Sequence, residues 1–394
     1  MRPVRLAYLV THPIQYQAPL LRRIAAEPDI ELTALFEDDF STRQHVDSGF
    51  GRAIAWDVKL LDGYRHRFLR PLRAAAAHGQ PSFWWPLSAD LANALRTGDF
   101  DALWVHGYSS ANHLAALMLA RRYGMQTLLR DETTADAQPR SALRRLGKRA
   151  AFALLDRLVD TFLATGTANA RHLMELGIAP TKLITMPYAV DNAAFARRSA
   201  AVDPAAVRAR YGIAPGQPLL LFSAKLIARK RPQDLLRAVA ELRRQGKAKP
   251  ALVFAGDGDL MAPLQREAQE LGLPDTHFPG FRSQAELAEL YATADVLVLP
   301  SERETWGLVV NEAMCAGCAI IASNRVGAAA DLVRDNGALY PVGDIADLAA
   351  ALDAVLGDPD NLQRMRRRSR EIVAQWSFEQ DVQALRLALD LPPR

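Results

Sequence analysis

Two carboxylates, Glu304 and Glu312, stand with seven residues between them in the stretch PSERETWGLVVNEAMCAGCAIIAS, which runs from Pro300 to Ser323. An apolar β-type run, Val296 to Leu299, ends just ahead of Glu304 in a Pro-Ser turn, and helical spacing begins near Gly307. Glu304 then lies in the strand-to-helix turn and Glu312 in the second helical turn. Both can face whatever occupies the strand's carboxyl end, where parallel α/β sheets bind ligands. The helix start contributes unpaired backbone N–H groups and a positive dipole end, which favour an anion such as a diphosphate. Carboxylates suit hydroxyls, so the combination fits a sugar nucleotide. The plainer alternative is a helix cap at Glu304 and a solvated Glu312.

Composition narrows the setting. The chain has 394 residues, 49% hydrophobic and 23% charged, a mix that suits two or three soluble globular domains. No uncharged apolar run reaches the length of a membrane span, and the apolar run after Met1 is short, so the sequence predicts a cytoplasmic protein with no signal peptide. Net charge is +6 over residues 1–199 and −2 over 200–394, within the overall +4. The basic first half points to an anionic partner. Without aromatic stacking motifs of the RNA-binding kind, a membrane surface is the better candidate than nucleic acid. Cys315 and Cys318 form a C-x-x-C pair, but no second pair completes a four-ligand zinc site, so packing is expected. Gly256-Asp-Gly-Asp259 lacks the third glycine of a dinucleotide fingerprint, having Met261 there.

Glu304, seven residues, Glu312, with an aromatic-Gly pair after the first and Glu-Ala-Met at the second, resembles the signature of retaining glycosyltransferases of the GT-B fold, family 4. The resemblance implies two Rossmann-like β/α/β domains facing across a cleft, with a C-terminal helix crossing back to the first. It implies that Glu312 holds the nucleotide ribose and that Glu304 lies by the transferred sugar, with Trp306, Gly307 and Leu308 in the donor site. Lys225 and Lys230, in Ser223-Ala-Lys-Leu-Ile-Ala-Arg-Lys-Arg, match by spacing the Arg and Lys that neutralise the donor diphosphate. Lysine at 225 turns a bidentate grip into a point charge. Phe278-Pro-Gly-Phe-Arg282 resembles the loop at the nucleotide base, which brings in Phe281 and Arg282. His106, after Asp101-Ala-Leu-Trp-Val, resembles the family's histidine at the donor sugar or phosphate.

The elements that must carry these residues follow a β/α alternation. Strands are expected at Val4–Val10, Ile30–Phe36, Ala102–Val105, Gln126–Leu129 and Thr161–Ala164, then at Leu219–Phe222, Ala251–Ala255, Val296–Leu299 and Ala319–Ala322. Domains are expected over 1–195, completed by a helix near 378–394, and over 196–377. The passage Met186-Pro-Tyr-Ala-Val-Asp191 resembles the family's domain handover, with Tyr188-Ala189 in place of Asn-Gly. The first loop is not Gly-rich, and His12, Gln15 and Tyr16 are assigned to the acceptor side. Residues 38–86 read as irregular, with Trp84 and Trp85 as core. In the basic helix 140–158, Leu143, Leu146, Ala150 and Leu154 form one stripe and Arg144, Arg145, Lys148 and Arg149 the opposite side. Phe152 falls among those charges, a pattern expected of a helix resting in anionic headgroups.

Catalytic roles are thereby assigned to His106, Lys225, Lys230 and Glu304, with no cofactor beyond the nucleotide-sugar substrate and no metal. The expected reaction is sugar transfer to the hydroxyl of a glycan or lipid-linked glycan with retention, in bacterial cell-surface polysaccharide or glycolipid assembly, on or near the inner face of the membrane. A nucleotide-sugar epimerase would differ by forming free epimer without acceptor. A noncatalytic sensor would bind the donor and turn nothing over.

Overall fold

The computed structural model describes residues 2–43, 45–47, 52–54, 58–72, 83–84, 87–134 and 142–393, the side chains of 45–47, 52–54 and 142–145 excepted. Expectations for Trp85, Arg140, and the side chains of Leu143, Arg144 and Arg145 lie outside the described residues. The chain divides into two compact units, one of Met1–His45, Ile54–Tyr188 and Phe378–Arg394, the other of Val46–Ala53 and Ala189–Ser377.

Strands β3 (His45–Asp47) and β4 (Arg52–Ile54), which fall mostly in the second unit, pair with each other. In the first unit the main strands are β1 (Val4–Val10), β2 (Ile30–Phe36), β5 (Arg65–Phe68), β6 (Ala102–His106), β7 (Gln126–Asp131), β8 (Thr161–Ala164) and β9 (Leu183–Thr185). They form a seven-stranded sheet in the order β5-β2-β1-β6-β7-β8-β9, parallel throughout. Alternate residues of a strand face opposite sides. Leu6, Tyr8 and Val10 join one apolar cluster while Ala7 and Leu9 join another. Both faces are covered, which is why β1 reads as an almost unbroken apolar run. Part of that cover comes from the end of the chain, where helix Phe378–Ala388 packs Val382, Leu385 and Ala388 against the cluster of Leu6 and Ile24. Its buried Arg386 binds Glu27 and Asp29 at 2.8 to 2.9 Å.

The second unit carries β10 (Leu219–Ser223), β11 (Ala251–Ala255), β12 (Thr276–Gly280), β13 (Val296–Leu299), β14 (Ala319–Ser323) and β15 (Gly337–Tyr340), ordered β12-β11-β10-β13-β14-β15 and parallel. The strand order reverses between β10 and β13, so the turns after these two strands meet at the switch point where such sheets bind ligands. Gly256 and Gly258 serve the backbone there. A Cβ on Gly256 would sit 1.9 Å from the Ala224 carbonyl oxygen, and one on Gly258 2.6 Å from that of Leu226. Cys315 and Cys318 are both buried, and burial raises both thiols, to about 12 for Cys318. Packing is their role.

Helix Ala142–Leu158 departs from the sequence expectation. Phe152 is fully buried, edge-on to Tyr108 at 5.0 Å, and Leu146 and Leu154 are 65% and 59% exposed. Lys148 turns inward over the Phe152 ring and meets His172 Nε2 at 3.0 Å. Phe152, Leu155 and Val159, spaced i, i+3, i+7, are buried together in one core cluster, so the inward face is this stripe and not the one through Leu146 and Leu154. Trp84 also differs from its expected core position, being 70% exposed beside Phe83. Among the described residues no helix is long and apolar enough to cross a membrane.

Candidate active site

The turn after β13 is held by the backbone. Glu304 N–H donates to the Arg325 carbonyl at 3.1 Å, and the N–H groups of Gly327 and Ala328 donate to the carbonyls of Glu304 and Trp306 at 2.9 and 3.0 Å. Gly327 must be glycine for this approach, because a Cβ would lie 1.9 Å from the Thr305 carbonyl oxygen. Gly307 then reverses the chain at φ +100° and forms the N-cap of helix Leu308–Ala316, a conformation that L side chains resist. Leu308 is thus the first helical residue, and its N–H belongs to the group that a helix leaves unpaired at its start.

Into this turn reaches Lys230, from the short turn Ala228–Lys230 after β10. Its ammonium forms an ion pair with the Glu304 carboxylate, and both side chains are largely buried. The Glu302 N–H donates to the Arg229 carbonyl at 2.9 Å and fastens one turn to the other. Burial first, then the cations of Arg229 and Lys225, pull the Lys230 pKa down to about 7. The pair therefore holds a crowded cation and an anion where a ligand phosphate could replace the carboxylate.

Glu312 lies deeper, 1% exposed. Its Oε2 accepts the Tyr291 hydroxyl at 2.7 Å, and Tyr291 lies 3.1 Å from the Ser223 hydroxyl at the end of β10. Lys225, Lys230, Glu304, Gly307, Leu308 and Glu312 are thus gathered at the carboxyl edge of β10 and β13. Phe281 and Arg282 follow the end of β12 nearby in the strand order, half-buried. Two assigned donor residues prove differently placed. The Trp306 ring is buried, stacked on Trp376 at 5.6 Å, with its indole N–H on Asn311 Oδ1 at 2.9 Å. It props the turn from inside. The Arg282 guanidinium binds the Pro279 carbonyl and, at 2.7 Å, Glu286, which itself forms the capping box with Ser283.

The first unit gathers its own candidates at the carboxyl ends of β1, β6 and β7. His12, Gln15 and Tyr16 are half-buried after β1, with the His12 ring 4.5 Å from Phe40 and its Nδ1 2.9 Å from the Thr11 hydroxyl. His106 ends β6. Tyr8 OH lies 2.8 Å from its Nδ1 and Glu132 Oε1 3.1 Å from its Nε2. A neutral phenol donates to Nδ1, and burial keeps Tyr8 neutral by raising its pKa far above the ordinary value. Nε2 then carries the proton and donates to Glu132. Both ring nitrogens are thus occupied, so the expected direct nitrogen contact to a donor sugar is not what this arrangement presents. Behind the histidine, His113 Nδ1 donates to the Gly107 carbonyl at 2.9 Å and fixes the turn.

Glu132 escaped the sequence reading, although it follows β7 in Arg130-Asp-Glu-Thr-Thr, at the edge where ligands bind. Tyr188 also hydrogen-bonds Glu132, and Arg130 lies over the Tyr188 ring at 5.2 Å. Fully buried Arg130 continues to the Pro187 carbonyl at 2.9 Å and to Asp381 on the last helix at 3.4 Å.

The family model "Glycosyl transferases group 1" matches residues 205–372, the whole span that carries Lys225, Lys230, Glu304 and Glu312. The D-inositol 3-phosphate glycosyltransferase of Nocardia farcinica is 33% identical over 258 residues, covering 63% of this chain and 55% of its own. The chain thus spans little more than half of that relative's length. The N-acetyl-α-D-glucosaminyl L-malate synthase of Bacillus anthracis is 28% identical over 302 residues, 74% of this chain and 75% of its own. HepE of Anabaena, solved in complex with UDP, superimposes with a TM-score of 0.73 at 16% identity over 98% of this chain and 99% of its own. With its two parallel Rossmann-like sheets and the paired carboxylates at the second, the chain has the GT-B fold, and its residues 205–372 belong to the group 1 glycosyltransferases.

Proposed function

We propose that the protein is a retaining, metal-independent glycosyltransferase that moves a hexosyl group from a UDP-sugar to the hydroxyl of a glycan or lipid-linked glycan. The Lys230–Glu304 pair at the start of helix Leu308–Ala316 carries this reading. It offers a cation to a diphosphate and a carboxylate to the sugar beside it. UDP as the nucleotide follows from its presence in HepE. Glu312 receives the ribose hydroxyls, and Lys225, Lys230 and the helix start neutralise the diphosphate, which leaves no charge for a metal to meet. In front-face substitution the bond from the anomeric carbon to the phosphate oxygen breaks. The acceptor oxygen bonds on the same face, and its proton passes to the leaving phosphate. Each donor that stabilises that oxygen contributes about 3 kcal/mol to lowering the barrier.

Calorimetric titration with UDP tests the donor site. Binding persists in EDTA, and Lys230→Ala and Glu312→Ala each weaken it roughly tenfold or more, the loss of a charge-assisted hydrogen bond. Affinity unchanged in both variants, or abolished by EDTA, contradicts the reading.

The acceptor suggests a location. The outward face of helix Ala142–Leu158 presents Leu146, Leu154 and Arg149. Apolar residues beside cations suit the headgroup region of an anionic bilayer, so this face, rather than Phe152, rests on the cytoplasmic leaflet and carries the enzyme to a lipid-linked acceptor.

A further inference from the structure

We propose that Glu132 is an acceptor-binding residue, whose carboxylate takes a hydrogen bond from the acceptor hydroxyl in a neutral polyol or sugar. This rests on the glycosyl-transfer reading and names a residue of the acceptor side. Three observations in the first unit carry it. The carboxylate stands just past β7, beside His106 at the end of β6, on the sheet edge that binds ligands. Its side chain is 31% exposed, whereas the His106 side chain is 9% exposed, so of the two it is the group a ligand can reach. And it is held: His106 Nε2–H and the Tyr188 hydroxyl both donate to it, with Tyr8 fixing the tautomer from behind.

A carboxylate has about four lone-pair positions, and two such donors leave capacity for a hydroxyl. Its charge is secured independently. Burial opposes ionisation, but the His106 hydrogen bond, then Arg130 and the Tyr188 hydroxyl, outweigh it and place the Glu132 pKa below the ordinary value. An ionised acceptor suits a neutral hydroxyl and repels an anionic group, which sets the ligand class. The proton of that hydroxyl still leaves with the phosphate, so Glu132 orients the nucleophile and needs no spare protonation state.

This also gives a purpose to Tyr188, in the passage Met186-Pro-Tyr-Ala-Val-Asp191. Its ring lies under Arg130 and its hydroxyl on Glu132, so the residue at the boundary of the first unit positions the acceptor carboxylate.

Ligand-observed saturation transfer on the UDP-loaded protein tests the assignment, with methyl α-glucoside, α-galactoside, α-mannoside and myo-inositol as probes. At least one probe should receive saturation from the wild type. Glu132→Gln, which keeps the shape and still accepts from His106, should cut that signal at least fivefold while UDP affinity stays within twofold. Tyr188→Phe should cut it less, since the carboxylate remains charged. If Glu132→Gln does not fold, Glu132→Asp, with its carboxylate drawn back by one methylene, should show the same loss. No probe bound by the UDP-loaded wild type, or equal binding by the folded variant, overturns the inference. Failure of UDP itself to bind would instead strike at the glycosyl-transfer reading.

Discussion

At the scale of single residues the chemistry depends on one lysine being an uneasy cation. Lys230 is crowded by burial, Arg229 and Lys225, which hold its pKa near 7. A bound diphosphate adds two or more negative charges beside it and favours the ammonium. UDP binding at pH 8 should therefore take up protons, up to one per site, and weaken as pH rises through about 7. Calorimetry in two buffers of different ionisation enthalpy measures the uptake. Lys230→Met should abolish it, and a wild type that binds UDP with no uptake contradicts this account of Lys230. Residues of this kind were picked out by resemblance to the family's motif spacing, and Lys225, Lys230, Glu304 and Glu312 lie close to the strands that place them. Trp306 was misread. An aromatic next to the turn glycine reads as a ligand contact, but its direction is decided by Trp376, far along the chain. Glu132 was missed for the same reason. Its partners His106 and Tyr188 come from the end of β6 and from the stretch after β9, and no local pattern links them to Glu132.

Among the elements, long apolar strands were legible because both faces of a parallel sheet are buried. The strands that escaped are polar or irregular edges. β5 is Arg-His-Arg-Phe and mostly exposed, and β12 contains Pro279 and a register shift. Proline survives in such a strand because an edge needs only one side paired. Helix Ala142–Leu158 was located correctly and turned wrongly, because a second apolar stripe, Phe152, Leu155 and Val159, is the one that is buried. The corrected face predicts weak, salt-sensitive adhesion, since each basic residue near an anionic surface contributes only about 1 kcal/mol. In cosedimentation the protein should prefer anionic over neutral vesicles at low salt, lose the preference at high salt, and lose it with Leu146→Ser and Leu154→Ser together. Equal recovery with both vesicle types at low salt rules the face out.

For the whole molecule, alternation and the handover near Tyr188 indicated two Rossmann-like units, and the last helix belongs with the first, its Leu385 buried beside Leu6. Apart from His106, the donor-site candidates lie in the second unit, and the acceptor candidates lie in the first. That division matches the family match, which covers 205–372 and leaves the first unit outside. Donor handling is therefore proposed for the part the family model covers, and acceptor choice for His12, Gln15, Tyr16 and Glu132. The central claim is that the protein transfers a sugar with retention. Proton NMR of the protein with UDP-glucose, UDP-galactose or UDP-N-acetylglucosamine and a mixed set of methyl glycosides and myo-inositol tests it directly. The account predicts a new glycosidic anomeric proton whose coupling shows the donor's own α configuration, whereas a β product, or no new glycosidic signal from any donor, would contradict it.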